Sequence, residues 1–248
     1  MKQIFVGEDQ RRNIREKRKK VLRILNISLL GVLGVLIIIP FAFSSRIFYS
    51  QSDMSPVALI STDRGSGSAI YVGDNRLLTA AHVVEGTSGE CIVEFRNPND
   101  DNVPRITVSA EVLYKGDFSN NNVNEDYALL HISNINAEKY ITSVRFAESK
   151  KAKVKDEIFI EGYPAGVYGT TTGIIGSLAV GDELKNLFVV DAKAWHGNSG
   201  GALFDKSNKL LGVVTMVGNR NGLNDDQTYV LKIDHIKKQL KSKGFSLD

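Results

Sequence analysis

Hydrophobic positions fall along this chain in three different rhythms. From Ile24 to Phe43 the stretch ILNISLLGVLGVLIIIPFAF is apolar on every face, and no charge occurs between Arg23 and Arg46. At a rise of ~1.5 Å per residue, twenty helical residues reach about 30 Å, the thickness of a bilayer's hydrocarbon core, so a single transmembrane helix is expected over 24–43. A buried core helix of this kind would need a large helical domain around it, and none follows. After a polar linker at 44–55 come brief runs of β-branched and aromatic residues cut by turn signals: VALIST, GSAIYVGDNRLLTAAHVV, CIVEFRN, ITVSAEVLY, YALLHIS, EIFIEGYP, LFVVDAKA and KLLGVVTMV. Gly73-Asp74-Asn75 and Ser207-Asn208 read as hairpin turns, and the strand spacing predicts an all-β barrel or sandwich. The third rhythm is helical: Ile233, Ile236 and Leu240 form one stripe in KIDHIKKQLKSKG, with Gly244 past the end.

Charge adds an orientation to this layout. The arm from Met1 to Arg23 carries a net +6 against +3 for the whole chain, so the remainder is −3 and offers no basic surface for nucleic acid. Lys and Arg massed before the apolar span place the N-terminus in the cytoplasm and everything after about Arg46 outside it. The small residues Ala42 and Ser44 leave a cleaved signal peptide as the alternative, but the length of the apolar run and of the basic region before it favours an uncleaved anchor. Cys91 is the single cysteine, so no intrachain disulfide forms and a buried thiol is expected. The histidines at 82, 131, 196 and 235 have no zinc spacing, and no phosphate-binding loop is seen, so neither a metal nor another cofactor is expected.

Three segments carry candidate chemistry, each ambiguous alone. His82 ends the apolar run LLTAAHVV, where a histidine is more often a hydrogen-bonded core residue. Asp126 opens the run in NEDYALLHI, where an acid usually serves a turn. GNSGG, residues 197–201, is a glycine-rich turn around Ser199. Taken together they acquire a purpose. A serine hydroxyl is a poor nucleophile at neutral pH and needs a base; the imidazole needs a carboxylate to fix its tautomer and stabilise its charged form. Gly197 admits backbone angles that allow its N–H and that of Ser199 to receive an oxyanion.

The order His, Asp, Ser with TAAH, DYALL and GNSGG resembles the trypsin-like, chymotrypsin-fold serine peptidases, in particular their disulfide-free bacterial HtrA-type branch. EGYPAG, TTTGIIGSL, VVDAKAWHGNSGGALF and KLLGVVTMV follow in the order of that branch, so the resemblance covers roughly Pro56 to Leu240. It implies a peptidase domain over 56–245, built from two six-stranded antiparallel β-barrels at about 56–147 and 152–232 and a C-terminal helix at about 233–243. His82, Asp126 and Ser199 are then the triad, with Gly197 and Ser199 forming the oxyanion hole. The substrate pocket walls are Lys193, Ala194, Trp195 and His196 on one side and Thr215, Met216, Val217 and Gly218 on the other. They hold no carboxylate, so an apolar or small residue before the cleaved bond is expected rather than Lys or Arg.

Departures from the family pattern narrow the expectation. Asn198 replaces the aspartate that pairs with a newly cut N-terminus in animal trypsins, which argues against that activation. No peptide-binding PDZ domain is expected after the second barrel, a further departure from the HtrA-type pattern. Val214 stands at the position where glutamyl endopeptidases place a histidine, so cleavage after glutamate is not expected. The resulting reading is a membrane-anchored serine endopeptidase acting on protein or peptide substrates at the outer face of the membrane, with nothing that specifies a homo-oligomer. The alternative is a silent or conditionally active binding or sensor module on the same fold.

Overall fold

In the computed structural model of the protein, the described residues are 54–87, 90–100, 105–119, 122–133, 135–178, 184–217 and 227–247. The expected basic arm, the transmembrane helix at 24–43 and all but the last two residues of the linker lie outside them. Among the described residues no helix is long and apolar enough to cross a membrane.

Strands β1 (Val57–Thr62), β2 (Gly65–Gly73), β3 (Arg76–Thr79), β4 (Cys91–Phe95), β5 (Ile106–Lys115) and β6 (Ala128–Ile132) close a barrel in the order β1-β2-β3-β6-β5-β4. The two-residue turn between β2 and β3 places Asp74 and Asn75 at φ 51° and 56°. Both angles suit the tight hairpin that matches strand twist, and Asp and Asn tolerate them.

After β7 (Arg145–Phe146) come β8 (Glu157–Gly162), β9 (Gly169–Ser177), β10 (Leu187–Val190), β11 (Ala202–Asp205), β12 (Lys209–Val217) and β13 (Thr228–Lys232). They are ordered β11-β8-β9-β10-β13-β12-β7, and a further β11–β12 pairing closes the six strands β8 to β13 into the second barrel. The short β7 adds to it outside the ring, parallel to β12. The two expected six-stranded barrels are therefore present. A helix at Ile233–Ser242 follows, ended by Gly244 at φ 90°, with Gly244 N–H donating to Lys241 C=O and Phe245 N–H to Leu240 C=O. These two bonds form a Schellman motif, which a residue with a Cβ would strain at Gly244.

Period-two alternation sorts residues between cores. On β2, Ala69 and Tyr71 point into the first barrel, while Ile70 and Val72 pack between the barrels. On β6, Leu130 and Ile132 face inward and Leu129 outward; on β10, Phe188 and Val190 fill the second barrel while Leu187 and Val189 join the shared cluster. Ile233, Ile236 and Leu240 of the helix join it too. Strands that read as continuous apolar runs are thus those with both faces covered. β4 has one covered face: Cys91, Val93 and Phe95 are buried and Ile92 is exposed. Burial raises the pKa of the Cys91 thiol and suits a structural role.

Candidate active site

His82 sits in the 3₁₀ turn Ala81–Val84 just after β3. Asp126 ends the 3₁₀ turn Val123–Glu125 just before β6, and since β3 and β6 pair, the barrel brings the two together. Asp126 is 1% exposed. Its Oδ2 lies 2.9 Å from His82 Nδ1, and Oδ1 lies 3.1 Å from the same nitrogen. Oδ1 also accepts the His82 backbone N–H at 3.0 Å. A buried carboxylate beside Nδ1 holds the proton there and leaves Nε2 as the basic nitrogen. The Phe118 ring, 5.7 Å away and tilted by 44°, stands against the imidazole.

The turn below Asp126 is tied down from the second barrel. Asn124 C=O faces His235 Nε2 of the C-terminal helix at 2.9 Å, so that nitrogen carries the proton. Asn124 Oδ1 accepts from Asn186 Nδ2 at 3.0 Å. Burial lowers the pKa of His235.

Ser199 lies on the loop between β10 and β11. Its C=O accepts Ser68 N–H from β2 at 2.8 Å. A Cβ on the neighbouring Gly67 would stand 2.9 Å from the Val83 side chain and 3.0 Å from Ser199 O, so the nucleophile loop and the residue after His82 close on either side of one glycine. The three candidates therefore come to the same seam between the barrels. Among the described residues the Ser199 hydroxyl has no hydrogen-bond partner; the bond between such a nucleophile and its base often tightens only with substrate bound.

The peptide planes around Gly197 are fixed individually. His196 C=O accepts Ala165 N–H at 2.9 Å, and in a trans peptide the Gly197 N–H then points the opposite way. Gly197 has φ 100°, and a Cβ there would run into the Tyr163 carbonyl. Asn198 N–H donates to Trp195 C=O, Gly200 N–H to Val214 C=O and Gly201 N–H to Asn198 C=O. Among the described residues the N–H groups of Gly197 and Ser199 are left without a partner. Two unpaired donors on one tightly held turn are what an anionic oxygen would meet.

The expected pocket walls divide. Ala194 and Thr215 are buried, Lys193 and His196 are exposed, and Trp195 is 68% exposed, its ring edge-on to His196. Thr171 Oγ1 and Thr228 Oγ1 hold the carbonyls of Lys193 and Ala192 at 2.9 and 2.7 Å. Met216 and Val217 are described by backbone alone, paired to β13, and Gly218 lies outside the described residues. Val214 is fully buried in the second barrel's core. Sequence reasoning passed over Phe118, Asn124 and Ser68 and gave His235 no partner; the roles of all four depend on pairings between segments apart in the chain.

Proteins similar to this chain in sequence or fold are numerous. The chain is 28% identical over 169 residues to a probable periplasmic serine protease do/HhoA-like of Haemophilus influenzae, covering 65% of this chain and 33% of that one. It is 26% identical over 160 residues to a glutamyl endopeptidase of Staphylococcus epidermidis, covering 60% and 53%. The chain spans about a third to a half of the length of such curated relatives. Among solved structures, the fold matches the HtrA-type protease AlgW with tripeptide at a TM-score of 0.61 and 23% identity, covering 79% of this chain and 64% of that one. It matches an inactive form of Rv3671c from M. tuberculosis, a serine-to-alanine mutant of that protein, at 0.58 and 22% identity, covering 76% and 86%. The profile of the trypsin-like peptidase domain matches residues 67–213, more than half of the sequence, and the chain belongs to that family.

Proposed function

We propose that this chain is a serine endopeptidase tethered by a helix at 24–43, with its N-terminus in the cytoplasm and its peptidase domain, residues 56–245, outside. His82 Nε2 takes the Ser199 proton as Oγ attacks the peptide carbonyl, and later passes it to the leaving amine. Asp126 holds the imidazole's tautomer and stabilises its charged form; water then hydrolyses the acyl-enzyme by the same route. The N–H groups of Gly197 and Ser199 receive the oxyanion. The observation that carries this reading is the pairing of a fully buried Asp126 with His82 on one barrel and an unpartnered pair of N–H donors around Ser199 on the other.

Lys193 to His196 and Thr215 to Gly218 line the substrate pocket and favour an apolar or small residue before the cleaved bond. Envelope and membrane-proximal proteins are the substrate class, because tethering restricts reach, and relatives named as periplasmic support the outer location.

The test is turnover of a peptide library by full-length protein in vesicles, with products read by mass spectrometry. Cleavage by wild type and none by Ser199→Ala is expected. Equal cleavage by both, or none by either, overturns the endopeptidase reading.

A further inference from the structure

Ser68 is fully buried on β2 of the first barrel, yet every polar atom it has serves the Ser199 loop or the strands beside it. Its hydroxyl accepts Tyr163 N–H at 2.9 Å and donates to Gly197 C=O at 2.7 Å. Its N–H donates to Ser199 C=O at 2.8 Å, and its own C=O accepts Thr79 Oγ1 at 2.7 Å. Gly162 leaves the room this requires: a Cβ there would stand 3.0 Å from Ser68 Oγ and collide with Asn198 Oδ1.

We propose that Ser68 is a positioning residue that sets the oxyanion-binding orientation of Gly197 from the opposite barrel, an inference that rests on the peptidase reading. The Gly197 N–H lies in the peptide plane before that residue, and the plane after it limits how far the first can turn. The preceding plane is held through His196 C=O by Ala165 N–H, and the following plane through Gly197 C=O by the Ser68 hydroxyl and, within the loop, through Asn198 N–H by Trp195 C=O. Ala165 belongs to the same corner that Ser68 holds through Tyr163 N–H, so one hydroxyl fixes one plane directly and supports the anchor of the other. Remove that oxygen, and a buried N–H and a half-buried C=O are orphaned together. Such groups recover partners by rotating, and here rotation turns the N–H away from the developing charge. Ser68 touches no substrate; it acts through Gly197.

The experiment measures the second-order rate at which a fluorophosphonate probe labels full-length protein in detergent. Ser199 Oγ attacks phosphorus, fluoride leaves, and His82 takes the serine proton, so the rate reads nucleophile and oxyanion site without knowledge of the substrate. Ser68→Ala is expected to slow labelling about 10- to 100-fold. On any peptide that wild type cleaves, kcat should fall by a similar factor with KM changed less than about twofold. Ser68→Cys keeps the shape but is a weak donor and acceptor, so it should be slowed as well and decides the matter if Ser68→Ala does not fold. Asn75→Ala is the control for lost stability alone, since it also removes one accepted and one donated bond, from Ala137 N–H and to Ile135 C=O, in a turn outside the site. Asn75→Ala should label at the wild-type rate. Folded Ser68→Ala or Ser68→Cys labelling as fast as wild type overturns the inference, as does a slowing of Asn75→Ala by the same factor. Absence of Ser199-dependent labelling in wild type overturns the peptidase reading instead.

Discussion

His82 and Asp126 on the first barrel are held differently from the loop around Ser199 on the second. The pair is closed locally: three contacts join one buried carboxylate to one residue's backbone and ring, on neighbouring strands of the same barrel. The loop from Trp195 to Gly201 takes much of its shape from outside, with Ser199 C=O and Gly197 C=O both bonded to Ser68 and His196 C=O to the 163–166 corner. A disturbance at the seam between barrels should therefore blunt the oxyanion site while the His–Asp pair stays intact. The fold closes the His–Asp pair within one barrel, with His235 and Asn186 steadying only the turn below it, and makes the electrophilic half a property of the union of the two barrels.

The largest break in this comparison is expected on the local side. Asp126→Asn keeps a hydrogen-bonding group in place but reverses the tautomer, and should lower kcat about 10⁴-fold. Steady-state kinetics with a fold check by circular dichroism reads it. On the shared side, Gly197→Ala forces a Cβ at φ 100° into the Tyr163 carbonyl and should cost about 10²- to 10³-fold in kcat with little change in KM. If Gly197→Ala were nearly neutral, the loop would not be fixed in the way described.

A smaller effect lies beneath Asp126. His235→Ala removes the bond to Asn124 C=O and should lower stability by about 1 kcal/mol, with activity reduced only a few-fold. Burial lowers His235's folded pKa, so the unfolded chain takes up this proton more readily than the native one. Stability from this group is intact above the unfolded value near 6.5 and is lost as pH falls below it towards the lower folded value. Denaturant unfolding of wild type and His235→Ala across pH 5 to 8 checks this; the difference between them should shrink on acidification.

How much of this was legible in the sequence depended on the range of the contacts involved. Brief runs of β-branched and aromatic residues between turn signals gave β1 to β6, β8, β10 and β12, and the 3–4 spacing of Ile233, Ile236 and Leu240 gave the helix. The sequence pattern missed β9, GTTTGIIGS, because its residues are mostly half-exposed threonines and glycines rather than an apolar face. It missed β11, ALFD, because four residues directly after a glycine turn carry no period, β7 because two residues carry none at all, and β13, TYVLK, because it runs straight into the helix. His82, Asp126 and Ser199 were legible because the chemistry demands those residue types in concert. Ser68 was not: at the start of GSAIYVG it reads as one more strand residue, and its role comes from a loop more than a hundred residues away.

The central claim is that Ser199 is a nucleophile whose oxyanion site is already formed in the resting protein. Its most direct test is to expose full-length protein, without any added peptide, to a fluorophosphonate and to map the adduct by mass spectrometry. One phosphonyl group per chain, on Ser199, is the predicted result. Labelling that falls on another residue, or that appears only after an effector peptide is added, would contradict it.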